Sequence, residues 1–272
     1  MKSNVLKLFL IAIIVAASSN ISYAQPSYAN NETKTIVTKM IDAHGGYETW
    51  SNAPSISFHH VLKGPGIEWV TDEIHQQGSR KSYLEWGDGA KLGFDGNDVW
   101  SVDWKIQNPP GMMAGVAYFF LNMPWITQDN GVQLELIEDE EVSYIEEGKS
   151  YYTVHMTYNG ASPYEYYDLY IDKDSFLLKG MEYTMVDKDL MKVFNMPPDT
   201  KFMGPLLKVY REFTEIDGLT FPVDYVTHAL PQGGVIMGTH IASDISFRKK
   251  FDESKAARPN NGVIFKSLNN KN

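Results

Sequence analysis

From about residue 55 to residue 247 the chain alternates apolar and polar positions with a period of two. That alternation belongs to half-buried strands. It predicts strands over 55–63, 67–76, 79–87, 92–94 and 99–102. A second set follows over 132–138, 149–158, 164–171, 176–185, 207–216, 219–228 and 235–247. Between them lie Gly64-Pro65-Gly66, Gln77-Gly78, Asp95-Gly96-Asn97-Asp98, Asp172-Lys173-Asp174-Ser175 and Asp217-Gly218, residues that favour tight turns. No strand–helix–strand rhythm intervenes. The pattern therefore predicts one antiparallel sheet of these strands in meander order, large enough that it must curl.

Two segments depart from the period. Before the strands, Asn31 is a good N-cap for a helix with Glu32 in its first turn. Ile36, Met40 and Ile41, with Val37 beside them, form its apolar stripe, and Gly45-Gly46 stops it. The second departure is 109–131, PPGMMAGVAYFFLNMPWITQDNG. Met112, Val116, Phe119 and Met123 recur at steps of three and four, and Ala117, Phe120 and Leu121 leave little polar surface. All-round apolarity suits a helix buried on most sides. The expectation is a helix over 112–123 laid across the mouth or inside of the curved sheet. A plain core helix is the alternative.

The strand faces point the same way. Tyr152, Val154, Met156 and Tyr158 share one face, yet Tyr164, Tyr166 and Tyr170 make the opposite face of a neighbouring strand aromatic. A sheet that is apolar on both faces must be covered on both, by helices or by a ligand. Residues 187–201 form a long excursion rich in Met and Pro, read as a mobile loop with one helical turn. The run Glu138-Asp139-Glu140-Glu141 reads as a solvated loop.

The first residues carry an export signal: Lys2 and Lys7, an apolar run over 8–17, and Ser22-Tyr23-Ala24 at the cleavage position. The expected organisation is a signal peptide over 1–24, cleaved after Ala24, and one domain over 25–272 in the periplasm. The net charge is −10, and loss of Lys2 and Lys7 makes it −12. Such acidity argues against nucleic acid and against docking on anionic lipid. There is no cysteine, which removes disulfides, thiolate metal sites and a cysteine nucleophile.

Catalytic signatures such as G-x-S-x-G, H-E-x-x-H and the P-loop are missing, so the expectation is a non-enzyme without cofactors. His59-His60 are adjacent strand residues that point to opposite faces, so no metal site is expected. His75, His155, His228 and His240 are scattered over separate strands. Asp95-Gly96-Asn97-Asp98 lacks the glutamate of a calcium loop and reads as a turn. The distinctive feature is apolar bulk. Met112, Met113, Phe119, Phe120, Met123 and Trp125 lie in the central segment, and Met181, Met185, Met191, Met196 and Met203 lie around the later excursion. Methionine adapts to varied apolar partners, which favours a cavity for acyl chains over a methionine-filled core.

Several local patterns add up to a resemblance. They are His44-Gly45-Gly46 with Trp50, Gly93-Phe94-Asp95-Gly96 with Val99-Trp100, and Phe119 through Pro124-Trp125 with Gly131. Leu169-Tyr170-Ile171-Asp172 and Gly218-Leu219-Thr220-Phe221-Pro222 complete the set. Together they span most of the chain, which resembles the LolA/LolB/LppX-like group of periplasmic lipid and lipoprotein carriers. It looks closest to the exported branch of outer-membrane lipoprotein-sorting proteins. The resemblance implies a mainly β (α+β) fold: one large curved antiparallel sheet forming an open half-barrel, with helices covering the concave side. It implies a monomer whose hollow holds a lipid or lipoprotein acyl chain, with transient partners in the envelope membranes. Candidate cavity and cover residues are Met112, Val116, Phe119, Phe120, Met123 and Trp125, joined by Trp69, Trp100, Tyr170, Met181 and Tyr183. Arg80 and Arg211 lie on plausible strands for the basic residue that characterised carriers keep inside the cavity, and nothing singles out either. The competing readings are a structural envelope module with a self-filled core and an enzyme with dispersed groups on strand edges.

Overall fold

The computed structural model describes residues 25–266; the expected signal peptide and its cleavage site lie outside them. The described residues form one fifteen-stranded sheet, open at both ends. In chain order the strands are β1 (Ser27–Tyr28), β2 (Ser55–Gly64), β3 (Ile67–Gln76), β4 (Ser82–Trp86) and β5 (Lys91–Phe94). Next come β6 (Val99–Val102), β7 (Val132–Leu136), β8 (Glu140–Glu141), β9 (Ser150–Tyr158) and β10 (Tyr167–Ile171). The last are β11 (Leu178–Met185), β12 (Met203–Ile216), β13 (Leu219–Ala229), β14 (Val235–Ser246) and β15 (Val263–Ile264).

The order is not one meander. Strands β2 to β6 form one, β7 and β9 to β14 form another, and antiparallel pairing of β14 with β2 joins them. The sheet is also mixed at one edge, because β1 runs parallel to β7. Local turn chemistry cannot reveal either pairing, since both join segments distant in sequence. Where a short hairpin was expected it is present. Asp217 and Gly218 both take positive φ, 53° and 82°, as a two-residue turn between twisted strands prefers.

The first helix, α1 (Asn31–Ala43), begins one residue earlier than the sequence suggested, because Asn30 is the cap. Its side chain accepts from Thr33 N at 2.8 Å. Ile36, Val37, Met40 and Ile41 face the sheet. The helix end is locked by His44, whose Nδ1 donates to Thr220 O at 2.7 Å while Nε2 accepts from Leu178 N at 3.1 Å. Gly45 follows at φ +96°, and a Cβ there would lie 2.0 Å from the Gly218 carbonyl. Only glycine permits this approach. A short helix, α2 (Tyr47–Ser51), leads into β2.

The central apolar segment is three short helices in place of the single one expected: α3 (Pro110–Met113), α4 (Val116–Leu121) and α5 (Met123–Ile126). Gly115 (φ −148°, ψ −4°) and Asn122 (φ −107°, ψ 13°) leave helical geometry between them. Glycine is a poor helix former, and Pro124 lacks the N–H an uninterrupted helix needs. Asn122 compensates with its side chain. Its Oδ1 accepts from Trp50 Nε1 at 2.7 Å and its Nδ2 donates to Tyr118 O at 2.8 Å. The excursion at 187–201 contains α6 (Lys188–Val193), capped by Asp187.

Both faces of the sheet are covered, as their composition demands. Helices α1, α4 and α5 pack with β7 and β9 to β13 in the principal core. On the opposite face, Tyr151, Tyr170, Leu207, Val209 and Val226 are covered by Val142 and Ile145. The acidic run therefore opens a covering segment: Glu140–Glu141 pair with β9 and stay exposed, while Val142 and Ile145 after them turn inward. No helix among the described residues is long and apolar enough to cross a membrane.

Candidate functional site

Three apolar clusters approach one another without merging. The principal core contributes Phe120, Tyr183 and Leu206. A second cluster under β4 and β5 contributes Met113, with Trp69, Met112 and Val116 against it. A third, on α6, holds Leu190, Met191 and Met203 beside Met112, Met185 and Met196. Between them lies a cavity of about 790 Å³. Its outer rim includes Ile67, Phe194, Val235 and Ile236, four large apolar side chains that remain exposed.

The inner end is polar. Lys208, only 1% exposed, lines the cavity with His60, Thr71, Glu73, Thr227 and His240. Sheet register assembles this belt. Lys208 stands opposite Thr227, Tyr225 opposite His240, Leu62 opposite His240 on the other side, and His60 opposite Thr71. Lys208 Nζ donates to Thr227 Oγ1 at 2.8 Å. Thr227 then has its own proton for His240 Nε2 at 3.3 Å, leaving the His240 Nδ1–H to donate to His60 Nε2 at 3.2 Å. Glu73 is held elsewhere. Its Oε1 accepts from Thr71 Oγ1 and its Oε2 faces His75 Nε2, both at 2.9 Å.

Burial governs the charges. It pushes the Lys208 ammonium down to about 7, because the charged form loses its hydration. Phe120 and Tyr225 offer ring faces 4.1 and 4.8 Å from Nζ, and ring quadrupoles attract a cation. Among the described residues no carboxylate forms an ion pair with Lys208. His60 and His240 are also held below the usual histidine range, chiefly by burial. Both are neutral at pH 7. Among the described residues, no group of three or more His, Cys, Asp or Glu is placed to hold a metal ion.

The sequence candidates separate into two sets. Met112, Val116, Phe120, Trp69 and Tyr183 line the cavity. Phe119, Met123, Trp125 and Met181 instead belong to the principal core or pack against it. Trp125 stacks on Trp50 with ring centroids 5.8 Å apart and donates to Gly46 O at 3.1 Å. Trp100 donates to Ala256 O at 2.6 Å, and Tyr170 lies in the cluster on the opposite face. These six fill the interior away from the cavity.

The sequence itself matches no family model and no curated protein. The architecture does find counterparts. A LolA superfamily protein from Nitrosomonas europaea superposes with a TM-score of 0.50 at 10% identity, covering 83% of this chain and 97% of that one. The fold is LolA-like. A domain from Vibrio parahaemolyticus described as an outer membrane lipoprotein-sorting protein gives 0.49 at 10% identity, covering 83% and 96% of the two chains. A DUF1329 family protein from Desulfovibrio piger gives 0.48 at 11% identity, covering 84% and 98%.

The inner end of the cavity presents Lys208, and neither arginine candidate lines the cavity. Arg80 is bound to Asp129 at 2.6 Å and lies over the rings of Trp50 and Tyr118. Arg211 is exposed and paired with Asp224. A signal for Lys208 was available. Period two puts it on the same face of β12 as Leu206 and Tyr210, where a lysine is out of place. The same step from Trp69 reaches Thr71, Glu73 and His75. His59 and His60 diverge as their adjacency requires: His59 pairs with Asp72 at 2.9 Å at the surface, and His60 turns inward.

Proposed function

We propose that this chain is an exported carrier or sensor of the cell envelope that shelters the acyl chain of a lipid or lipoprotein. The observation that carries the reading is the cavity of about 790 Å³ with apolar walls. That size falls in the range that holds small organic ligands, ~300–1,000 Å³. Each methylene transferred from water gains about 0.8 kcal/mol before ordering costs. Methionines 112, 113, 185 and 203 line the site and let its walls fit chains of different shape. The LolA-like fold and the leader at residues 1–24 support a periplasmic place, with one domain following the cleaved segment. The mechanism is binding and release, with no covalent step.

The test uses protein purified without detergent, examined by native mass spectrometry with lipid extraction and then stripped of lipid. The expected result is stoichiometric recovery of an amphiphile, and saturable uptake of a fluorescent fatty acid by the stripped protein. Absence of both results overturns the reading in favour of a structural module of the envelope.

A further inference from the structure

We propose that Lys208 is an anion anchor, so that the ligand is a single-chain carboxylate amphiphile bound with its head group at the inner end of the cavity. This rests on the acyl-binding reading above and adds which end of the ligand leads. An apolar chain alone gives no reason for a lysine in this position. Burying an ammonium is unfavourable unless it is paired. Lys208 has one hydroxyl partner, Thr227, and two aromatic faces. An incoming carboxylate supplies the missing counter-charge, and an ionised N–H···O bond is among the stronger hydrogen bonds.

The surroundings favour a monoanion. Facing Lys208 are Phe120 from α4, Tyr183 from β11, Thr227 and Tyr225 from β13, His240 from β14, His60 from β2 and Glu73 from β3. Both histidines are neutral, and Glu73 adds an acidic side chain near His60. A dianionic phosphate monoester would meet one cation and one acidic neighbour. A carboxylate has a smaller charge to satisfy, and the Lys208 ammonium keeps N–H donors beyond the one given to Thr227 to receive it.

The arrangement also makes binding depend on pH. Without ligand the Lys208 ammonium is pushed down to about 7 by burial; a bound carboxylate restores its charge, so binding above pH 7 takes up one proton. His60 and His240, both lowered, stay neutral across pH 7–9, and Tyr183 and Tyr225, both raised, stay protonated. Among the groups facing the cavity's inner end, Lys208 is the one shifted into this window.

The experiment measures binding of dodecanoic acid, 1-dodecanol and methyl dodecanoate to the lipid-stripped full chain by calorimetry. The acid is expected to bind on the order of 10- to 100-fold tighter than either neutral analogue at pH 7. Its affinity should fall by up to about tenfold per pH unit above 7, with one proton taken up, while the neutral analogues stay level. Lys208→Met should erase the preference and the pH slope yet keep dodecanol binding. Equal affinity of acid and alcohol in the wild-type protein, or a preference that survives Lys208→Met, overturns the anchor and leaves the acyl-binding reading standing. Failure of all three to bind overturns both. The wild-type pH profile decides the matter even if the variant does not fold.

Discussion

One broken apolar segment serves two unlike ends of the molecule. At its C-terminal end Met123, Trp125 and Ile126 are at most 1% exposed, and Trp125 lies against Trp50, His44 and Phe221. At its N-terminal end Met112 and Val116 are half-buried and face the cavity. Each end holds a buried basic side chain. His44 is saturated by two backbone partners, Thr220 O and Leu178 N, and acts as a neutral clamp. Lys208 has a single hydroxyl and a cavity in front of it. Burial alone therefore does not mark function. A buried polar group that finds all its partners within the fold stabilises it, whereas one left short beside a cavity is available to a ligand.

The largest expected effect tests the packed end. Trp125→Ala removes a fully buried ring that contacts His44, Trp50 and Phe221, and should reduce stability by about 3–5 kcal/mol. Urea unfolding checks this, beside uptake of a fluorescent fatty acid by the fraction that remains folded. The folded fraction should bind normally. Selective loss of uptake with little loss of stability would place Trp125 in the ligand site and erase the contrast.

The clamp has its own signature in acid. Burial lowers the His44 imidazole from 6.5 to about 4, so between those values the unfolded chain takes up a proton that the folded chain refuses. Stability from this group is complete above pH 6.5, falls as the pH drops towards 4, and changes no further below that. The shift corresponds to roughly 3 kcal/mol. His60 and His240, also lowered, add to the slope, so the measurement is a difference. Urea titrations from pH 7.5 to 4 should show a shallower acid loss in His44→Asn, which starts from lower stability. Parallel curves for the two proteins would remove His44 from the account.

The two ends also differed in how much of them could be read in the sequence. The packed end was partly legible because its signals are local: the glycine stop after His44, the Asp217-Gly218 turn, and the period-two strands. In the motif His44-Gly45-Gly46 with Trp50, His44 and Gly45 bind the helix end to the β12–β13 turn, while Trp50 holds Asn122 and the Gly46 carbonyl holds Trp125. The cavity end was legible only as apolar bulk. Its polar belt joins β12, β13, β14, β2 and β3, and the β2–β14 pairing brings residues 180 positions apart into contact, as with His60 and His240. No local period encodes that. Met112 and Met123 belong to one stripe on an ideal helix, yet the breaks at Gly115 and Asn122 send one to the cavity and the other to the core.

The smallest expected effect runs the opposite way from the first. If Lys208 is kept for a ligand, the fold should be better off without it. Folding lowers its ammonium from 10.5 to about 7, so across that interval the unfolded chain holds a proton that the folded chain lacks. Stability associated with this group is therefore lowest below pH 7 and rises towards pH 10.5. Lys208→Met keeps the unbranched apolar stem and removes the buried charge, leaving Thr227 its partner in His240. At pH 7, without ligand, the variant should be more stable by on the order of 1–3 kcal/mol, the scale seen when buried charges give way to apolar side chains. The advantage should shrink towards pH 10 as the wild-type lysine becomes neutral. Paired urea titrations at pH 7 and 10 measure both points. A variant less stable than wild type at pH 7 would instead make Lys208 a structural partner of Thr227, as well satisfied as His44, and the two ends would no longer differ in kind.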